Sequence, residues 1–424
     1  MTVSSRRLFL AAAAGAAGAW LSGCRSAASA AAPTSAPALR GNGRVILGID
    51  RLEAENFAPL RGQRVGLICN QTSVNGSGVH TRRVLQRALG GRLTSLYSPE
   101  HGIDGKAKAG VHVASTRDSA TGLPVYSLYG STRKPAPSML ASIDVLLFDL
   151  QDIGCRSYTY ISTMALAMEA CAQQGKRFAV LDRPNPIGGW RVQGPPLQAR
   201  WKSFVGQVPV PYVHGLTTGE LAQMINAEGW ASRRCDLQVI TMHGWHRGMN
   251  WPDTGLRWVP TSPNIPKAVS PLYYCTTGML GGLGGVDIGI GTSGPFEYAG
   301  GRGIDPHELA RALSRLNTPG VRFTPYRSER AQGFAGARIH IDPRTQTDLV
   351  ALGAGLCFEI CRRSPKATLH ATKGDKLNLF HKVYGSTALW DSLCSSRQPG
   401  SLIATWGGDN ARFRSRRQPF LLYA

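Results

Sequence analysis

Four short runs of strand length in the first half of the chain each stop abruptly at a polar cluster. Residues 64–69 end at Asn70-Gln71-Thr72, and residues 92–97 at Ser98-Pro99-Glu100-His101-Gly102. Residues 143–148 end at Asp149, and residues 177–181 at Asp182-Arg183-Pro184-Asn185-Pro186. Residues 143–148 are an almost unbroken apolar run, the mark of a strand covered on both faces. Helix-like stretches at 79–89 and 162–174 stand between the runs, and alternation of this kind is the pattern of a parallel sheet. The sequence therefore predicts an α/β chain: a Rossmann-like parallel sheet domain followed by a smaller α/β C-terminal domain. In such sheets ligands bind beyond the carboxyl ends of the strands. All four polar clusters are expected on that one edge.

The richest cluster is residues 149–160, D-L-Q-D-I-G-C-R-S-Y-T-Y, too polar for a core and too specific for a linker. It supplies most of the expected site wall: Asp149, Gln151, Asp152, Arg156, Tyr158 and Tyr160. The other clusters add Asn70, Glu100, His101, Arg183 and Asn185, and the rigid Ser262-Pro263-Asn264-Ile265-Pro266 loop adds Asn264.

The N-terminus reads as an export signal. Arg6-Arg7 precedes an apolar stretch at 11–21 that is too short to span a bilayer as a mature helix, and the paired arginines suit the twin-arginine route. Leu21-Ser22-Gly23-Cys24 resembles a lipobox, which would make Cys24 the lipidated first residue of an envelope or periplasmic lipoprotein. The expected division is a signal at 1–23, an Ala/Ser/Pro tether at 24–43, a catalytic domain at 44–265 and a smaller domain at 266–424.

The formal net charge of +22 falls to +20 once Arg6 and Arg7 leave with the leader. Its basic residues are scattered rather than striped along a helix, and export argues against nucleic acid, so an anionic envelope polymer or lipid surface is the better-matched partner. Eight cysteines beyond Cys24 show no disulfide framework. Cys357 and Cys361 lie one helical turn apart and read as buried thiols. No G-x-G-x-x-G or G-x-x-x-x-G-K-[ST] follows the first strand, and no H-E-x-x-H spacing occurs, so no cofactor or metal is expected.

Glu100 is the candidate general acid, with His101 beside it and Asp149 or Asp152 as the ionised partner. Two carboxyl groups with aromatics to stack on rings form the usual glycosidase arrangement. Arg156 and Arg183 would hold an acidic substituent. The plainer alternative is a buried ion network of Asp149, Asp152 and Arg156 that fixes the loop. Glu220 stands three residues after Thr217 in capping-box spacing, and we read it as structural. The Gly-rich stretch at 278–294 is read as a domain junction or a loop over the site.

Six ordered motifs carry a resemblance: S-P-E-H-G at Ser98, T-G-L-P-V-Y-S-L-Y-G at Thr121, the segment at Asp149, L-D-R-P-N-P at Leu181, H-G-L-T-T-G-E at His214 and S-P-N-I-P at Ser262. From about Ile46 to the C-terminus the chain resembles the NamZ/YbbC-like exo-β-N-acetylmuramidases. The resemblance implies a cleft between two domains, release of N-acetylmuramic acid from non-reducing ends of peptidoglycan fragments, and Glu100 as the catalytic glutamate. It also implies a lactyl carboxylate for Arg156 or Arg183. Two departures stand out. Asp104 occupies a position where the family commonly has arginine, and Gly281-Gly282-Leu283-Gly284-Gly285 and Gly289-Ile290-Gly291-Thr292 replace an acidic and basic pair ahead of Pro295-Phe296-Glu297. The departures keep open a non-catalytic peptidoglycan-binding lipoprotein, or a hydrolase of another envelope glycan.

Overall fold

A computed structural model of the chain describes residues 44–328, 332–395 and 399–424. Cys24 and the tether therefore lie outside the described residues. The four runs become β1 (Val65–Cys69), β2 (Leu93–Ser98), β5 (Val145–Asp149) and β6 (Arg177–Leu181). With β3 (Thr116–Arg117), β4 (Pro124–Ser127) and β9 (Leu237–Ile240) they form a seven-stranded sheet in the order β3-β4-β2-β1-β5-β6-β9. All neighbours are parallel except β3 with β4. A short antiparallel pair, β7 (Gln193–Pro196) and β8 (Pro211–Val213), follows the fourth run.

Burial explains the apolar residues of these runs. Val145 and Leu147 join one hydrophobic cluster with Leu67, Leu85 and Leu181, while Leu146 and Phe148 join another with Ile68, Met164 and Phe178. Successive side chains enter opposite faces, and both faces are covered. Helices α1 (Gly48–Ala54) and α2 (Thr81–Leu89) pack their apolar residues into the first cluster. Helices α4 (Tyr160–Gln173) and α5 (Thr218–Ala227), which follow the short α3 (Pro137–Leu140), pack into the second.

Register places the four strand ends level. Cys69 pairs with Asp149, Ile68 with Tyr97, and Phe148 with Val180. From β1 the sheet grows outward through β2 and β4 on one side and through β5, β6 and β9 on the other. The order thus reverses between β1 and β5, where a crevice opens at the carboxyl edge. Glu100, at the end of β2, and the segment after β5 flank it.

The remaining helices are α6 (Ser270–Thr277), α7 (Pro306–Ser314), α8 (Leu349–Arg363), α9 (Asp375–Tyr384), α10 (Ala388–Cys394) and α11 (Pro399–Arg417). They accompany an antiparallel sheet of β10 (Val286–Asp287), β11 (Tyr298–Arg302), β12 (Val321–Arg327) and β13 (Phe334–Ile341), ordered β10-β11-β13-β12. The larger hydrophobic cluster runs on into this part through Ile339, Leu352 and Phe380. The Gly-rich stretch does not form a lid. A Cβ on Gly285 would sit 2.1 Å from the Ala367 carbonyl oxygen, and one on Gly282 would sit 2.8 Å from the Phe380 backbone. These glycines permit close backbone packing, which is why no larger residue stands there.

Candidate active site

Glu100 follows Pro99 directly beyond β2 and is 7% exposed. Its Oε1 accepts a hydrogen bond from the Gly110 N–H at 2.8 Å, and its Oε2 accepts one from Thr159 Oγ1 at 2.6 Å. Thr159 is the residue before α4, so the loops after β2 and β5 meet at this carboxyl group. His101 has a left-handed backbone, φ +73°, rare for a residue with a Cβ. Its ring Nδ1 donates to the Ala107 carbonyl at 2.7 Å, leaving Nε2 as the acceptor of the neutral ring.

A cavity of about 180 Å³ opens over Glu100 and His101. Tyr158, Tyr274 and Phe296 form its aromatic wall, and Ser157, Ser262 and Asn264 add polar atoms. The rings stack edge to face, Tyr158 on Tyr274 at 5.8 Å and Tyr274 on Phe296 at 5.0 Å. Such a wall suits the apolar face of a sugar ring. Behind Glu100, burial and the nearby carboxylate push the Tyr129 hydroxyl up to about 12, and the Arg133 guanidinium lies 3.4 Å from the centre of the Tyr129 ring.

Of the residues expected at the site, Glu100, His101, Tyr158 and Asn264 line this cavity. Asp149 and Arg183 do not: they form a buried bidentate pair, Nε to Oδ1 at 2.6 Å and Nη2 to Oδ2 at 3.0 Å. Thr81 Oγ1 also donates to Asp149 Oδ2 at 2.6 Å. Arg156 is likewise a correction. It is fully buried, its guanidinium bonds the carbonyls of Pro195, Val210 and Tyr384, and burial pulls its pKa down to about 10. It fastens the loop after β5 to β7, β8 and α9 and cannot reach an acidic substituent.

Three further residues serve the backbone. Asn70 bonds the Tyr160 hydroxyl and closes the turn at Thr72. Tyr160 donates to the Thr261 carbonyl at 2.6 Å. Asn185 bonds Leu216 O and Ile187 N, and it packs so close to Gly154, φ +79°, that a Cβ there would lie 2.5 Å from its Oδ1. Glu220 closes the capping box with Thr217 and pairs with Arg247 at 2.6 Å, a structural role. Asp104 is mostly exposed, 3.7 Å from Arg82.

Asp152 is buried beside this wall. Its Oδ2 accepts from the Ile153 and Gly154 N–H groups, and its Oδ1 has no partner among the described residues. Burial pushes its carboxyl up to about 7. The folded protein then holds a proton that the unfolded chain gives up from about pH 4, so this group's stabilisation is present at low pH and lost as pH rises through 7. Asp152→Asn, neutral at every pH, should become progressively more stable than the parent between about pH 4 and 8 by urea denaturation. A difference independent of pH would mean that Asp152 titrates as an ordinary carboxylate.

Sequence reasoning missed Thr159, Ser157, Tyr274 and the Gly110 N–H. Thr159 stands inside the 149–160 segment, a little before the helix-like stretch at 162–174, whereas the helix itself begins at Tyr160. Nothing in Lys106-Ala107-Lys108-Ala109-Gly110 marks a backbone N–H as a carboxylate partner.

Comparison with known proteins gives concordant matches. Residues 65–269 match the model described as exo-beta-N-acetylmuramidase NamZ, N-terminal, and residues 272–423 match the C-terminal one. The peptidoglycan beta-N-acetylmuramidase NamZ of Bacillus subtilis (strain 168) is 38% identical over 402 residues, covering 93% of this chain and 95% of its own. Two solved structures of DUF1343 family proteins from Bacteroides fragilis NCTC 9343 share the fold. One is 40% identical, with TM-score 0.84 over 91% of this chain and 100% of its own. The other is 28% identical, with TM-score 0.66 over 89% and 99%.

Proposed function

The chain belongs to the exo-beta-N-acetylmuramidase NamZ family and is a glycoside hydrolase, and from that premise we propose that it removes N-acetylmuramic acid from the non-reducing ends of peptidoglycan fragments. In this reading Glu100 protonates the glycosidic oxygen as its bond to the anomeric carbon breaks, and water supplies the hydroxyl to that carbon and a proton back to Glu100. The observation that carries it is the placement of Glu100: a fixed carboxyl at the floor of a small aromatic-walled cavity on the carboxyl edge of the sheet. His101 lies beside the acid with its Nε2 as a further acceptor, while Tyr158, Tyr274 and Phe296 would pack against the ring.

The test uses a chromogenic β-N-acetylmuramide beside the matching β-N-acetylglucosaminide, followed by defined peptidoglycan fragments whose products are sized. Chromophore release from the muramide alone, with single muramic acid units leaving fragment ends, is the expected result. Internal scission would overturn exo-action. Equal cleavage of both glycosides would overturn the choice of sugar.

A further inference from the structure

The carboxyl edge of the seven-stranded sheet holds a second cavity, of about 150 Å³, and it is lined by two residues that the sequence had placed beside Glu100: Gln151 and Arg183. One loop separates the two cavities. Leu256 to Pro260 wall the second, Ser262 to Ile265 wall the first, and Thr261 between them is pinned by the Tyr158 and Tyr160 hydroxyls at 2.8 Å and 2.6 Å.

The second cavity's polar groups specify a ligand. Gln151 Nε2 donates to the Asp152 and Pro184 carbonyls, which fixes the amide's orientation. Its Oε1 is buried with no partner among the described residues, an acceptor left for an N–H donor. Arg183 commits Nε and Nη2 to Asp149 and to the Val74 carbonyl, and its Nη1 makes no hydrogen bond among the described residues. Arg257 is exposed at the rim and no acidic residue lines the cavity among the described residues; the Arg183 charge is paired with Asp149, so Arg257 supplies the unpaired positive charge that an anion would meet. Trp251 and Trp258 meet edge to face at 4.8 Å. Both indole N–H groups are already spent on the Leu256 and Ile265 carbonyls, so the rings offer only apolar wall.

A carboxylate, one N–H and a small apolar body occur together in an N-acyl amino acid. We propose that this cavity binds the carboxyl-terminal residue of a short peptide, with the carboxylate on Arg183 and Arg257 and the amide N–H on Gln151. The room available, on the order of five waters, suits a small side chain. The proposal does not depend on Glu100 or on the glycosidase reading.

The test titrates the full chain with N-acetylalanine, in both enantiomers, and with N-acetylalaninamide, by calorimetry and by tryptophan fluorescence. Saturable binding of the acid, at least about tenfold weaker binding of the amide, and a similar loss in Arg257→Gln are expected. Trp258→Ala should abolish the fluorescence response. If that variant fails to fold, the exposed Arg257→Gln still decides the matter. Absence of saturable binding by either enantiomer overturns the proposal, as does equal binding of acid and amide. Loss of binding in Glu100→Gln would put the ligand in the first cavity and would also overturn it.

Discussion

Glu100→Gln is expected to lower kcat by about 10²- to 10⁴-fold while leaving the fold intact, because glutamine fits every contact but carries no transferable proton. The Gly110 N–H can still donate to the glutamine Oε1, and the Thr159 hydroxyl can turn to accept from its Nε2, so both anchoring bonds survive. The side chain keeps its volume in a position only 7% exposed, so no cavity forms. The cavity wall of Tyr158, Tyr274 and Phe296, proposed to pack against the sugar, is untouched, so KM should stay within a few-fold. The measurement is chromophore release from the β-N-acetylmuramide together with a thermal unfolding scan. Retention of full activity with an unchanged midpoint would remove Glu100 from the mechanism. Loss of activity with a collapsed midpoint would show only that the carboxylate holds the loops after β2 and β5 together.

The fold was legible because parallel strands covered on both faces leave a mark that survives without any structure: residues 65–69, 145–148 and 178–181 are apolar, and these runs and the strand at 92–97 each end where the chain must turn polar. Which polar residues look into the cavity and which look away was not legible. Asp149 and Arg156 have the composition of a ligand clamp, yet each is consumed by protein partners that lie far along the chain, Thr81 for Asp149 and Tyr384 for Arg156, while Arg183 gives Nε and Nη2 to Asp149 and Val74 and keeps only Nη1 for a ligand. Long-range pairings of that kind are set by how the strand ends splay and leave no local spacing to read. Glycines behaved similarly. The stretch at 278–294 reads as a domain junction or a loop over the site, but Gly285 and Gly282 are small because Ala367 and Phe380 pass close by, a fact of packing rather than of local propensity.

Asp149→Ala should separate the two readings of that residue with the largest stability loss of any change proposed here. The substitution leaves the Arg183 guanidinium, 3% exposed, with only the Val74 carbonyl as acceptor, and it strips Thr81 of its partner. Removing one member of a buried pair leaves an uncompensated charge and costs about 3–5 kcal/mol, whereas an exposed pair such as Arg344 with Asp253 contributes about 0–1 kcal/mol. The cost falls at the point where the strand order reverses, since Asp149 ends β5, Arg183 follows β6 and Thr81 begins α2. Urea denaturation of Asp149→Ala and of Asp149→Leu combined with Arg183→Met gives the contrast. The single variant should lose several kcal/mol, and the apolar double variant should recover much of it, because an apolar pair carries no desolvated charge. A substrate-binding Asp149 would behave otherwise: the single variant would unfold at the parent's urea concentration and show its defect only in KM.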